Sequence, residues 1–127
     1  MKRDMDLVRT ILLTVEKTGT TPIDWIDGFK IEGYDDEFVS YHVWLLAQAG
    51  FLEALDRSTQ EGFSYDPRCL TWYGAEFLDT IRDPEIWAGT KAGAKKAGGF
   101  SLEILGAIAK GLIKKKIKEH TEVEIDL

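Results

Sequence analysis

Apolar residues recur at helical spacing in several separate stretches of this chain. Met5, Val8, Ile11, Leu12 and Val15 predict a helix over residues 5 to 17, with Asp4 or Asp6 as its N-cap and Gly19 as its stop. Between Thr20 and Tyr34 that period fails. Ile23, Trp25, Ile26, Phe29 and Ile31 flank the hairpin-turn dipeptide Asp27-Gly28, which predicts short extended pieces. From Asp35 to Ala49 the period returns through Val39, Val43 and Leu46, and Gly50 ends it; Asp35-Asp36-Glu37 suits the positive end of the helix dipole. Phe51 to Arg57 and Phe63 to Thr71 read as two strands around the polar tip Ser58 to Gly62. Thr71 can cap a third helix, Trp72 to Arg82, burying Ala75, Leu78 and Ile81. Asp83-Pro84-Glu85 combines an N-cap, a first-position proline and an early acid, so a fourth helix starts there and ends near Gly98-Gly99. A fifth runs from Ser101 to about Glu119.

The fold class this predicts is mainly α with a small β-hairpin (α+β). Helix, extended piece, helix, hairpin, helix is the order of a winged helix, here followed by two C-terminal helices. Tyr41-His42-Val43-Trp44-Leu45-Leu46-Ala47-Gln48-Ala49-Gly50-Phe51-Leu52 resembles a recognition helix running into its first wing strand. Leu70 to Leu78 resembles the wing exit and the helix after it. One departure stands out: the second helix of a helix-turn-helix is missing, unless Asp24 to Gly28 forms one turn. The domain reading is a winged-helix-like domain over residues 1–83 and a helical extension with an acidic tail over 84–127.

Charge changes this picture. The 127 residues carry a formal charge of −6, which repels phosphate backbones at long range. The acids concentrate in residues 1 to 83, the bases in residues 84 to 118, and the last nine residues are acidic again. Cys69 is the single cysteine, which excludes an internal disulfide and a zinc-ribbon pattern. Arg9 interrupts the first apolar run, so no secretion signal is expected, and no stretch has the ~20 apolar residues of a membrane span. A soluble cytoplasmic protein is predicted.

At Met1-Lys2-Arg3-Asp4-Met5-Asp6-Leu7, Tyr41 to Leu52, Leu70 to Asp83 and Gly98 to Leu105 the chain also resembles the bacterial and prophage proteins grouped as domain of unknown function 2513. The resemblance covers most of the chain and implies a phage-related cytoplasmic setting. It brings no activity and no catalytic residues.

A DNA-reading helix needs basic neighbours to hold phosphates. No Lys or Arg occurs between Lys30 and Arg57, and the outward side of the Asp35 to Ala49 helix is expected to present Ser40, Tyr41, Trp44, Leu45 and Gln48. Tyr41, Trp44, Leu45 and Gln48 are therefore candidates for binding a protein partner, or for packing against the C-terminal helices. On the last helix Leu102, Ile104, Leu105, Ile108, Ala109, Leu112, Ile113 and Ile117 share a face opposite Glu103, Lys110, Lys114 and Lys118. Leu105, Ile108 and Leu112 are the candidates for self-association as a dimer. The alternative is a DNA-binding transcriptional regulator using Arg57 and Arg68 of the wing with Lys110, Lys114, Lys115 and Lys116 of the arm. His42 reads as a hydrogen-bonded structural histidine, and Asp35-Asp36-Glu37 as a helix start rather than a cation site. No nucleotide, metal-protease or nucleophile-elbow motif occurs. The prediction is a non-catalytic protein with no cofactor and no metal, acting through protein contacts and self-association.

Overall fold

In the computed structural model, which describes residues 1–121, the first helix begins where the Asp4 carboxylate accepts the Leu7 backbone N–H at 3.1 Å. This helix, α1 (Met5–Thr18), ends at Gly19, whose φ of 69° is the left-handed conformation that closes a helix cheaply only at glycine. α2 (Asp36–Gln48) starts from an Asp35 cap. It ends in a Schellman motif: Gly50, at φ 82°, donates to Ala47 at 3.1 Å, and the Phe51 N–H reaches the Leu46 carbonyl at 2.9 Å.

Two strands follow, β1 (Leu52–Asp56) and β2 (Tyr65–Leu70), antiparallel and in the register Leu52↔Leu70, Glu53↔Cys69, Ala54↔Pro67. Arg68 is the extra residue of a bulge, which is where a strand containing Pro67 tolerates a break in its ladder. α3 (Trp72–Ile81) is capped by Thr71, whose hydroxyl accepts the Gly74 N–H at 3.0 Å and donates to the Gly50 carbonyl at 2.5 Å.

The segment between α1 and α2 differs from expectation. It contains turns at residues 22–23, 27–28 and 32–33 and neither a strand nor a helical turn. It is tethered along β2 instead, as a strap. The Thr20 hydroxyl donates to the Arg68 carbonyl, the Ile26 N–H to Pro67 at 2.8 Å, and the Phe29 N–H to Asp66. One backbone bond is too few to define a strand, and proline at 67 has no N–H to return a second. Asp27-Gly28 forms a turn, with Gly28 at φ 61°, but joins no paired strands.

The chain forms two compact units, Met1–Leu78 and Asp79–Leu127. In the first, α1 contributes Leu7, Val8, Ile11, Leu12 and Val15 to the core, α2 contributes Val39, Val43 and Leu46, and the strap contributes Phe29 and Ile31. His42 is also buried there, and links the two helices: its Nδ1–H donates to the Phe38 carbonyl at 2.9 Å and its Nε2 accepts the Asp4 N–H at 2.8 Å. Ser40, expected outside, is buried, and Ala75, expected inside, is half-buried.

In the second unit α4 (Pro84–Ala97) and α5 (Leu102–Thr121) form an antiparallel pair. Asp83 caps α4 through the Glu85 and Ile86 N–H groups, and Gly98, at φ 84°, closes it. Gly89 and Gly93 let α5 approach closely: a methyl at Gly93 would lie 3.1 Å from Ile108, and one at Gly89 2.9 Å from Leu112. Of the acidic tail read at 119–127, residues 122 to 127 lie outside the described residues.

Gly74 has the tightest constraint. A Cβ there would sit 1.7 Å from the Phe51 carbonyl oxygen, which is backbone and cannot turn aside. Gly74→Ala is expected to lower the stability of the first unit by about 3 kcal/mol in urea denaturation, the cost of a strained insertion into a packed site. Gly106→Ala, on an α5 position with open space around it, is expected to raise stability by up to about 1 kcal/mol in the same measurement.

Candidate functional site

Three surfaces carry the residues that the sequence singles out. The first is the outer side of α2. Phe38, Tyr41 and Trp44 lie along it at helical spacing; Tyr34 stacks on Phe38, Phe38 and Tyr41 are joined through the His42 ring, and Trp44 continues the run to Phe63 and Tyr65 at the hairpin. Tyr41 stacks on Trp44 at 5.9 Å between centroids and meets the edge of His42 at 5.7 Å. Trp44 meets Phe63 edge to face at 6.4 Å. Tyr41, Trp44 and Leu45 are half-buried, and Gln48 is exposed. Each such ring pair adds roughly 0.5–1.5 kcal/mol beyond the area it covers, so this run stiffens the helix against the hairpin.

The second surface is the hairpin. Arg57 lies 5.4 Å from the Trp25 ring centroid and pairs with Asp27 at 3.5 Å. Arg68 donates to the carbonyls of Pro22, at 3.2 Å, and Asp24, at 3.5 Å. Both guanidinium groups are thus engaged with the strap. Cys69, on β2, donates to Glu53 at 3.6 Å. Burial, with the Glu53 carboxylate beside it, pushes the Cys69 thiol above its ordinary range, so the thiolate needed for nucleophilic chemistry is disfavoured.

The third is α5. Leu105 is fully buried, while Ile108 and Leu112 are half-buried over the glycines of α4. Lys116 donates to Asp83 at 2.8 Å and lies 3.6 Å from Glu85. It therefore latches the end of α5 onto the cap of α4. Lys110 and Lys115 are exposed, and Lys114 is half-buried. The structure brings Lys116 together with Asp83, where sequence reasoning had grouped it with Lys114 and Lys115.

Sequence reasoning missed one pair. Trp72 and Tyr73 occupy the first two positions of α3 and are 82 % and 63 % exposed. Tyr73 stacks one face on Phe51 at 5.0 Å, and Trp72 has no ring contact among the described residues. The available signal was positional: after the Thr71 cap, the first helical residues face solvent, and two large aromatics there are unusual. Among the described residues no group of three or more His, Cys, Asp or Glu side chains is placed to hold a metal ion. No helix among them is long and apolar enough to cross a membrane.

The family model described as Hypothetical protein (DUF2513) matches residues 2–101. The chain belongs to the DUF2513 family. An uncharacterized protein of Haemophilus influenzae is 41 % identical over 115 residues, covering 89 % of this chain and 96 % of its own length. No solved structure matches. The family span takes in the first unit from Lys2 onward and α4, and ends at the Ser101 cap of α5.

The Asp83–Lys116 latch has a defined pH dependence. The hydrogen bond from Lys116, then the Ile86 and Glu85 N–H groups, hold the Asp83 carboxyl below its ordinary range, and Asp83 in turn raises Lys116. For a depressed carboxylate the stabilisation is complete above the ordinary carboxylate range and is lost as pH falls through the lowered value. For a raised lysine it is complete below the ordinary lysine range and is lost as pH rises through the higher value. Lys116→Met is therefore expected to lower the melting temperature at neutral pH, and the difference from wild type is expected to vanish in acid once Asp83 is protonated. Circular dichroism melting across pH checks this; a difference that persists at the acid end would mean that Lys116 acts through something other than the latch.

Proposed function

We propose that this is a non-catalytic, winged-helix-like protein that acts through protein contacts, self-association among them. The single observation behind this reading is the exposed Trp72–Tyr73 pair at the capped start of α3. Tryptophan and tyrosine supply large contact area at low entropy cost and dominate the energetics of protein interfaces. A tryptophan 82 % exposed on a capped, well-anchored helix is a preorganised anchor. In this reading the association surface lies on α3, since Ile108 and Leu112 of α5 cover the glycines of α4. The phage-related setting belongs to the same reading and rests on the family resemblance alone.

The alternative, a DNA-binding regulator, draws its support from the exposed Lys110 and Lys115 of the basic arm. Against it stand the engagement of Arg57 and Arg68 with the strap and of Lys116 with Asp83. Phosphate contacts supply most non-specific DNA affinity, and Arg57, Arg68 and Lys116 are each occupied within the chain.

Sedimentation velocity over a concentration series is expected to show association of the full chain. Trp72→Ser with Tyr73→Ser is expected to shift it to monomer without changing the circular dichroism spectrum. Fluorescence anisotropy with mixed-sequence duplex DNA is expected to show no binding at low salt. A chain that stays monomeric at every concentration and binds duplex DNA with a steep salt dependence would overturn this reading in favour of the regulator.

A further inference from the structure

The exposed rings of α3 have acidic neighbours. Glu76 lies one helical turn beyond Trp72 and is also exposed, so the outer face of the helix sets an aromatic platform beside a carboxylate. Asp79, a further turn along with its side chain 68 % exposed, adds a second acid, paired within the helix to Arg82. This combination restricts what can cover the rings. Nucleic acid and anionic membrane both present phosphates, which these carboxylates and the acidic first 83 residues repel. A surface carrying cations is favoured twice, by Coulomb attraction to the carboxylates and by the attraction of an ammonium to the ring faces of tryptophan and tyrosine.

The chain carries such a surface itself. With Leu105 buried, and Ile108 and Leu112 over the glycines of α4, the exposed side of α5 includes Ala107, Lys110, Gly111 and Lys115. Ala107 and Gly111 are one turn apart, and a Cβ at Gly111 would meet nothing within 4 Å, so the helix backbone there is bare and open. A strip of small residues lets a large ring lie directly against the helix, and Lys110 beside Gly111 and Lys115 one turn beyond it supply the cations. The spacing matches as well. Trp72 and Glu76 are four residues apart on α3, as are Gly111 and Lys115 on α5. At a rise of about 1.5 Å per residue both intervals are about 6 Å, so a ring on Gly111 brings Glu76 level with Lys115 when the two helices run parallel.

We propose that the aromatic pair of α3 docks on the exposed side of α5 in a second copy of this chain, with Trp72 over Ala107 and Gly111 and Glu76 paired with Lys115. The division of charge along the chain favours that occupant: acids concentrate in residues 1 to 83, which carry the aromatic pair, and bases in residues 84 to 118, which carry the receiving strip. This inference rests on the reading of Trp72 and Tyr73 as an association surface and adds the surface that receives them. Lys110 and Lys115 then serve a protein contact rather than a phosphate contact.

The test is sedimentation velocity of full-length variants over a concentration series, each checked by circular dichroism for unchanged helix content. Glu76→Lys and Lys115→Glu each reverse one charge and are expected to weaken self-association about tenfold. The chain carrying both changes restores opposite charges across the contact and is expected to return to within about threefold of wild type, a rescue that a merely structural effect would not give. Gly111→Gln adds a side chain where its own chain leaves open space, so the fold is kept while the strip is blocked, and is expected to weaken association about tenfold or more. Wild-type association in Gly111→Gln, no weakening in either charge reversal, or two reversals that do not rescue one another would each overturn the proposal. A monomeric Trp72→Ser, Tyr73→Ser chain beside wild-type association in Gly111→Gln overturns the docking on α5 alone, whereas a wild-type chain that is monomeric at every concentration overturns the association reading with it.

Discussion

Phe51 is the residue on which the first unit turns. Its N–H closes α2 through the Leu46 carbonyl, its own carbonyl accepts the Thr71 N–H at 3.2 Å, and its ring stacks on both Tyr73 and Phe77. Gly74 brings the first turn of α3 directly against that carbonyl. One residue thus fixes the end of a helix, the entry to the hairpin and the approach of the next helix. Two of these depend on a glycine: Gly50 supplies the left-handed turn before Phe51, and Gly74 supplies the space beside it. Beside that contact Trp72 is 82 % exposed, and Tyr73, with one face on Phe51, is 63 % exposed.

The distribution of charge follows a similar economy. The arginines of the hairpin hold down a strap that lacks a strand's hydrogen bonds, Arg68 through carbonyls and Arg57 through Asp27 and the Trp25 ring. Surface ion pairs of this kind are individually weak. Their effect here is geometric, since they place the strap alongside β2 and so form one wall of a groove over Asp66 and Ser40. In the second unit the cap of α4 and the far end of α5 are joined by Lys116, so part of the basic arm is internal structure.

Much of the fold was legible because its signals are local. Apolar spacing marked α1 and α2, Asp83-Pro84-Glu85 marked the start of α4, and Gly19, Gly50 and Gly98 each adopt the left-handed conformation at a helix end. The residues of the strap predict extended pieces, because the bonds that shape it run to side chains and carbonyls far along the chain, at Asp66, Pro67 and Arg68. Ser40 was placed outside for a related reason: its position on α2 is covered by the strap and hairpin, which no helical projection includes. The partners of Arg57 and Lys116 were likewise invisible, since Asp27 and Asp83 lie 30 and 33 positions away in sequence. For Trp72 and Tyr73 the helical spacing marks only the beginning of a helix and carries no signal of their exposure.

The central physical claim is that the Phe51 junction holds the first unit together rather than decorating an independently stable pair of helices. Native-state hydrogen exchange of the Phe51 amide tests it most directly. If the junction organises the unit, this amide exchanges only with global opening, at the same free energy as the slowest amides of α1 and α2, such as Ile11 and Val43. Exchange of Phe51 through a low-energy local opening, while Ile11 and Val43 stay protected, would contradict the account.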